Sequence, residues 1–422
     1  MKSAATMKRG GCHFMKIRRV ILSRTNQKEN AMKYKLVYTG LILLIYTLGK
    51  CIPLYGIDLS AYSYKSVGAE EILMQVISGD TYRSSVFALG IFPFMISSIL
   101  VQVAFAIRGM FTKTRVSPKT MSKAMVAVML VIAILQAIVQ VPQLKFAVAD
   151  ENLFYAELMA GLEMVTGVMV IMWLSNRNGR YGVGGRMIVG LVNILERISV
   201  TLRNHDMEKL AVPLAISLGV MLITLVMENA EMRIPVQRVS IHNVYADKNY
   251  MAIKLNPVGV MPVMFSSAVL MLVRLLLSLL GNLFPQYEGF VWLQRNMNLT
   301  NPVGIAMYIA CEYLLTIGLA MLMVSPKDIT EQFLKSGDSI VNLHAGRDTR
   351  RYLRKVMWCT SLSSATVMGV CILVPLVLQL RGNIDSTLTM LPSSIMMMTS
   401  FWCTIYRELV SIRKYDACHP LF

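Results

Sequence analysis

The sequence predicts an all-α membrane protein with ten spanning helices, and three observations carry that prediction. The chain of 422 residues is 55% hydrophobic and only 16% charged, too little charge to cover a soluble protein of this length; its mean hydropathy is +0.54. Apolar runs recur along it at close to the ~20 residues that a helix needs to cross a bilayer. Lys and Arg gather in every second connection between those runs, as cytoplasmic loops require.

In chain order the runs are 36–56, 84–107, 124–144, 153–175, 183–202, 210–227, 255–273, 302–324, 356–380 and 386–406. Those at 84–107, 124–144, 210–227, 255–273, 356–380 and 386–406 carry no charge. Lys50 lies in the first run, Glu157 and Glu163 in the fourth, and Glu312 in the eighth. The fifth run is the weakest, because Glu196 and Arg197 interrupt it.

The loops supply an independent check. Arg108, Lys113, Arg115, Lys119 and Lys123 follow the second run with no acid among them, and Arg177, Arg180 and Arg186 follow the fourth. Arg347, Arg350, Arg351, Arg354 and Lys355 follow the eighth, whereas around the third-to-fourth connection Lys145 stands against Asp150, Glu151 and, in the first turns of the fourth run, Glu157. The alternation holds only if the fifth run spans, and it then puts both termini in the cytoplasm. It also accounts for the net charge of +18. Nucleic-acid binding needs such charge on one soluble face, so it is not expected here.

Catalytic and metal signatures are missing. The seven cysteines form no CxxC pair, the histidines no HExxH, and neither GxxxxGK[ST] nor GxSxG occurs. No cofactor, metal or disulfide framework is expected. The first 35 residues are basic and polar and lack the apolar core of a signal peptide. A small-molecule transporter would place ionisable residues near the midplane. Its candidates are Glu163, Arg274, Glu196 and Arg197, and for each the reading as an interfacial or inter-helix charge is preferred.

Four segments in order resemble the SecY family of protein-export channels, and the resemblance covers about residues 36–412. They are SVFALGIFPFMISSILVQ (85–102), WLSNRNGRYGVGG (173–185), RIPVQ (233–237) with IKLNPVGVMPVMFSS (253–267), and SPKDITEQFLKSGDSI (325–340) with GRDTRRYL (346–353). Within the family, the 173–185 turn, RVSIHNVYADKNYMAIKLNPVGVMP (238–262) and NPVGIAMYI (301–309) resemble the accessory branch. The resemblance implies two pseudo-symmetric five-helix halves, 36–202 and 203–412, with a basic N-terminal segment (1–35) and a cytoplasmic tail (413–422). The implied activity is export of a restricted set of cell-surface proteins, often Ser-rich and glycosylated, across a bacterial plasma membrane. The implied partners are an accessory SecA ATPase, SecE-like and SecG-like membrane subunits, further accessory Sec proteins, unfolded preprotein and lipid. A housekeeping SecY, a small-molecule transporter, and an insertase without a continuous pore are the alternatives.

Transferred position by position, the family's pore ring falls on Ile91, Met95, Leu191, Leu195, Met264 and Met397. A narrow apolar ring blocks ions by dewetting, and flexible Met side chains suit varied cargo; the plain alternative is lipid-facing or packing side chains. Residues 66–80, with Ile72, Leu73, Val76 and Ile77 at helical spacing, match the family's plug, or else form a solvated outer loop. Ser97, Ser98, Gln102, Ser266 and Ser267 match the side gate between helices 2/3 and 7/8, with ordinary helix packing as the alternative for Ser97 and Ser98. The loops at 233–254 and 325–355 are the expected motor surface, through Arg233, Arg238, Arg347, Arg350 and Arg351, although their basic residues equally suit anionic lipid. His344 stands where the family carries an Arg important for motor engagement, which leaves that role to Arg347 or Arg350, or to a different contact.

Overall fold

The computed structural model describes residues 32–57, 85–111, 117–148, 152–185, 188–237, 249–283, 289, 292–293, 296–341, 343–382 and 385–417. Its long helices match the ten apolar runs. Residues 32–50 form α1. The others are α2 (Phe92–Phe111), α3 (Pro118–Gln140), α4 (Leu153–Tyr181), α5 (Ile188–Asn204), α6 (Met207–Asn229), α7 (Met261–Leu283), α8 (Pro302–Met323), α9 (Arg347–Leu380) and α10 (Leu391–Ala417). By length and composition, six helical stretches among the described residues are able to cross a membrane: Pro118–Gln140, Leu153–Tyr181, Met207–Asn229, Pro302–Ser336, Arg347–Leu380 and Thr387–Arg413. Phe92–Phe105 and Met261–Leu277 are shorter apolar helices.

Helix boundaries follow local chemistry. The Ser117 hydroxyl accepts from the Thr120 amide ahead of Pro118, so one orphan donor of α3 is capped and proline supplies none at the next position. The same device, Ser325 before Pro326, starts the short helix Pro326–Ser336, which ends on Gly337 at φ 76°. Several runs are helical over less of their length than expected, the first stopping at residue 50. The second is a chain of buried turns over 86–91, containing Gly90 at φ 56°, and is helical only from Phe92. The seventh begins at Met261, after Gly259 at φ 70°, so residues 255–260 are irregular. The ninth extends the other way: α9 starts at Arg347, ahead of its apolar run, and its first turns carry the basic cluster.

The distribution of side chains is that of a protein solvated by hydrocarbon. Leu41, Leu44 and Leu48 of α1 and Leu218, Leu222 and Val226 of α6 are exposed, whereas Ser97, Gln136, Asn193, Glu228, Glu312 and Ser361 are buried. Polar groups inside a bundle and apolar groups outside are what a bilayer selects. Helix α5 shows why its hydropathy is weak. Its Glu196 pairs with Lys50 of α1 at 2.7 Å, and Tyr46 of α1 donates to Asn193 at 2.9 Å, so its one acid is neutralised by helix α1. Glu163 accepts from the Tyr55 amide at 2.9 Å, and Arg274 donates to Asn298 at 2.8 Å.

Packing runs α2 on α3 and α3 on α4 in the first part of the chain, and α6 on α10, α7 on α8 and α8 on α9 in the second. Contacts between these two groups come on one side from α7 against α2 and α3, and on another from α10 against α5. A small sheet is added to the helices. Strand β1 (Glu231–Gln237) lies between β2 (Tyr250–Lys254) and β3 (Ser339–Ile340), antiparallel to both. The connection before α7 and the one before α9 are therefore joined into one unit. Ile234 and Val236 point inward and their neighbours outward, the alternation of a half-buried strand.

Candidate functional site

The expected ring residues come from four helices, and the structure treats them unequally. Ile91, on the last turn before α2, and Met95, on its first turn, are fully buried, as are Met264 of α7 and Met397 of α10. All four belong to one continuous apolar core. Leu191 of α5 is partly buried and packs on that core, but Leu195, one turn further, is 42% exposed and lies outside it. The face of α5 that meets α7 is offset by one residue: a Cβ placed on Gly190 would lie 4.0 Å from the Met264 methyl, and Ile194 is fully buried. One residue is ~100° of helix rotation, enough to exchange an inner face for its neighbour. Ile72, Leu73, Val76 and Ile77 lie outside the described residues.

The side-gate positions lie on α2 and α7, two helices that pack together. Ser97 and Ser266 are fully buried and Ser98 and Ser267 nearly so. Their hydrogen bonds run along their own helices: Ser97 to the Phe94 carbonyl at 2.8 Å, Gln102 to the Ser98 hydroxyl at 2.9 Å, Ser266 to the Val263 carbonyl at 2.9 Å and Ser267 to the Met264 carbonyl at 2.7 Å. Small residues of this kind are what lets two helices approach closely inside a membrane.

The basic candidates sit on the sheet and at the start of α9. Arg233 is exposed on β1, its guanidinium 4.8 Å from the centre of the Tyr250 ring on the paired strand. Arg347 and Arg351 are exposed at the start of α9, whereas Arg350 is half-buried and its Nε has no hydrogen-bond partner among the described residues. The His344 carbonyl accepts from the Thr349 hydroxyl at 2.9 Å, closing the loop onto α9. Arg238 lies outside the described residues.

Beneath the sheet is a polar cluster that the sequence reading did not single out. Glu228, buried at the end of α6, accepts from Ser400 at 2.6 Å and pairs with Arg407 of α10 at 3.5 Å. Arg407 also donates to the Glu228 carbonyl and to Asn229 at 3.2 Å. Gly259 fits against the same carboxylate, because a Cβ there would stand 3.2 Å from it at a backbone φ of 70°. The start of the β1–β2 hairpin is thereby anchored on α10. The glycine-rich turn of 182–185 is anchored likewise: Gly184 donates to Glu408 at 2.8 Å, Val183 to the Thr39 hydroxyl at 2.8 Å, and Asn178 to the Val183 carbonyl at 2.9 Å. Two buried residues of α8, Tyr308 and Glu312, were also passed over. Their spacing of four residues places both on one helix face, which was the available signal.

Known proteins agree with this architecture. Among solved structures, one described as a protein-conducting channel superposes with a TM-score of 0.67 at 16% identity, over 93% of this chain and 95% of that one. Another, from work on the SecY plug and the closed channel, gives 0.67 at 15% identity over the same shares. In sequence, the accessory Sec system protein translocase subunit SecY2 of Streptococcus agalactiae serotype III (strain NEM316) is 29% identical over 396 residues, 92% of this chain and 96% of that protein. The SecY2 subunit of Leuconostoc gelidum subsp. gasicomitatum is 27% identical over 362 residues, 81% of this chain and 85% of that one. The SecY family model matches residues 85–405. With that match running from the turns before α2 into α10, the chain belongs to the SecY family.

Proposed function

We propose that this chain is the pore-forming subunit of an accessory Sec translocase, exporting a restricted set of cell-surface proteins across a bacterial plasma membrane. The observation that carries the pore is the burial of Ile91, Met95, Met264 and Met397, from α2, α7 and α10, in one apolar core that Leu191 of α5 borders. Such a constriction keeps ions out when closed, and its side chains part to admit an extended polypeptide. The assignment to the accessory branch rests on relatives of that description, which match over most of the chain.

In this reading residues 36–202 and 203–412 are the two halves, and both termini face the cytoplasm. Residues 66–80 plug the closed pore. The α2–α7 seam is the side exit through which an apolar signal segment partitions into lipid, gaining about 0.3–0.6 kcal/mol per Leu-type residue. The sheet and the start of α9 receive an accessory SecA-type motor, with Arg347, exposed where Arg350 is half-buried, in the role left open at His344. SecE-like and SecG-like subunits complete the complex, and the cargo is Ser-rich and glycosylated.

The test is photo-crosslinking from inside the chain. A photoreactive residue at Met264 or Met397 is expected to form adducts with a cargo stalled during export, whereas one at Trp402, 65% exposed on α10, yields none. Equal adducts at all three positions, or none at the two methionines, would count against the pore.

A further inference from the structure

Tyr308 occupies a position in α8 that neither the ring nor the seam explains. Its side chain is fully buried, among the largest so enclosed, and its hydroxyl donates to the Val263 carbonyl of α7 at 3.3 Å. That carbonyl also accepts from Ser266 at 2.9 Å and from Ser267 at 3.5 Å. Three hydroxyls thus converge on one backbone oxygen in the first turn of α7. Serine hydroxyls that bond back to the preceding turn loosen and bend a helix, so this turn is intrinsically soft. It is also the turn that carries Met264, whose methyl approaches Gly190 of α5, and it follows the irregular residues 255–260. The tyrosine is the one donor of the three that comes from another helix.

We propose that Tyr308 is a positioning residue of the closed seal: from α8 it holds the first turn of α7 in place, and so holds Met264 across the pore. The proposal rests on the channel reading above and adds to it a strut behind the constriction. Helix α8 packs on α9 as well as on α7, so the strut has a firm base. Glu312 is fully buried one turn along on the same face, with one oxygen accepting from Thr316 at 3.3 Å, and its other oxygen would lie 3.3 Å from a Cβ on Gly369 of α9. Removing the phenolic hydroxyl keeps the ring that fills the space and deletes only the bond to α7.

The experiment measures ion leak through the full chain, with its companion subunits, in proteoliposomes. Y308F is expected to raise the open fraction about fivefold, the factor that corresponds to one ordinary hydrogen bond of about 1 kcal/mol. Its thermal midpoint should move no further than that of T224V, which deletes a buried hydroxyl of α6 bonded within its own helix and leaves the leak unchanged. S266A removes one of the serines that soften this turn and should move the leak the other way, lowering it in the Y308F background; Y308M, which also lacks the hydroxyl, decides the matter if Y308F does not assemble. Unchanged leak in Y308F and Y308M, where M264A in the same assay leaks, overturns the strut and leaves the channel standing. No leak even in M264A overturns both.

Discussion

Replacing Met264 and Met397 together by alanine is expected to make the resting channel permeable to small ions, by more than about tenfold over the unaltered chain. Both side chains are fully buried in the core shared by α2, α7 and α10. Truncating a buried Met costs about 2–5 kcal/mol in lost packing, and each ~1.4 kcal/mol taken from the closed state alone is a factor of ten in its population. The physical effect is twofold: the constriction widens, and the gap admits water, which removes the dewetted barrier to ions. Release of an entrapped ion from proteoliposomes measures it. Leu195→Ala is the matched comparison, because Leu195 is 42% exposed and outside the core; it should leave the leak within about twofold of the original, since a side chain already outside the core loses little packing when truncated. A large leak in the Leu195 variant, with a tight double-methionine variant, would reverse the assignment of the two faces.

The second large effect is on folding. Gly167 of α4 lies where the backbone before α2 crosses it: a Cβ at that position would collide with the Val86 carbonyl oxygen and stand 3.2 Å from the Phe87 ring. That backbone oxygen has little room to retreat, because residues 87–91 after it are buried turns and the Val86 amide is bonded to the Ile52 carbonyl at 3.0 Å. Gly167→Val is therefore expected to destabilise the protein by about 3 kcal/mol or more, the upper range for overpacking. The loss should appear as a collapsed yield of monodisperse protein and a lowered thermal midpoint. Gly219→Val and Gly318→Val are the controls, since a Cβ at either meets nothing within 4 Å. If Gly167→Val matches them, α4 does not approach the 86–87 backbone as described.

Hydropathy and loop charge made the helices legible one by one, because a spanning helix is written in about 20 consecutive residues. The fifth was readable only through charge alternation: its Glu196 is neutralised by Lys50, a residue far away in sequence. What hydropathy cannot carry is register about the helix axis. Leu191 and Leu195 share a face, as do Gly190 and Ile194, and apolarity alone does not choose between them; the burial of Ile194 beside the exposure of Leu195 shows which face turns inward. The sheet was hidden for a similar reason, as β1 pairs across the chain with Ser339 and Ile340, and a strand of two residues has no pattern of its own. The buried clusters at Glu228 and Tyr308 involve partners more than forty residues away. Neither Glu228, just past the sixth apolar run, nor Tyr308, an ordinary member of the eighth, carries a local sign of such a partner.

The most direct measurement is the secreted and surface proteome of a strain lacking this gene, compared with its parent. An accessory protein-conducting channel predicts the loss of one or a few surface proteins from the exported fraction, with growth intact and general export unchanged. Lethality with general export failure would contradict the accessory assignment, and an unchanged proteome would contradict the channel itself.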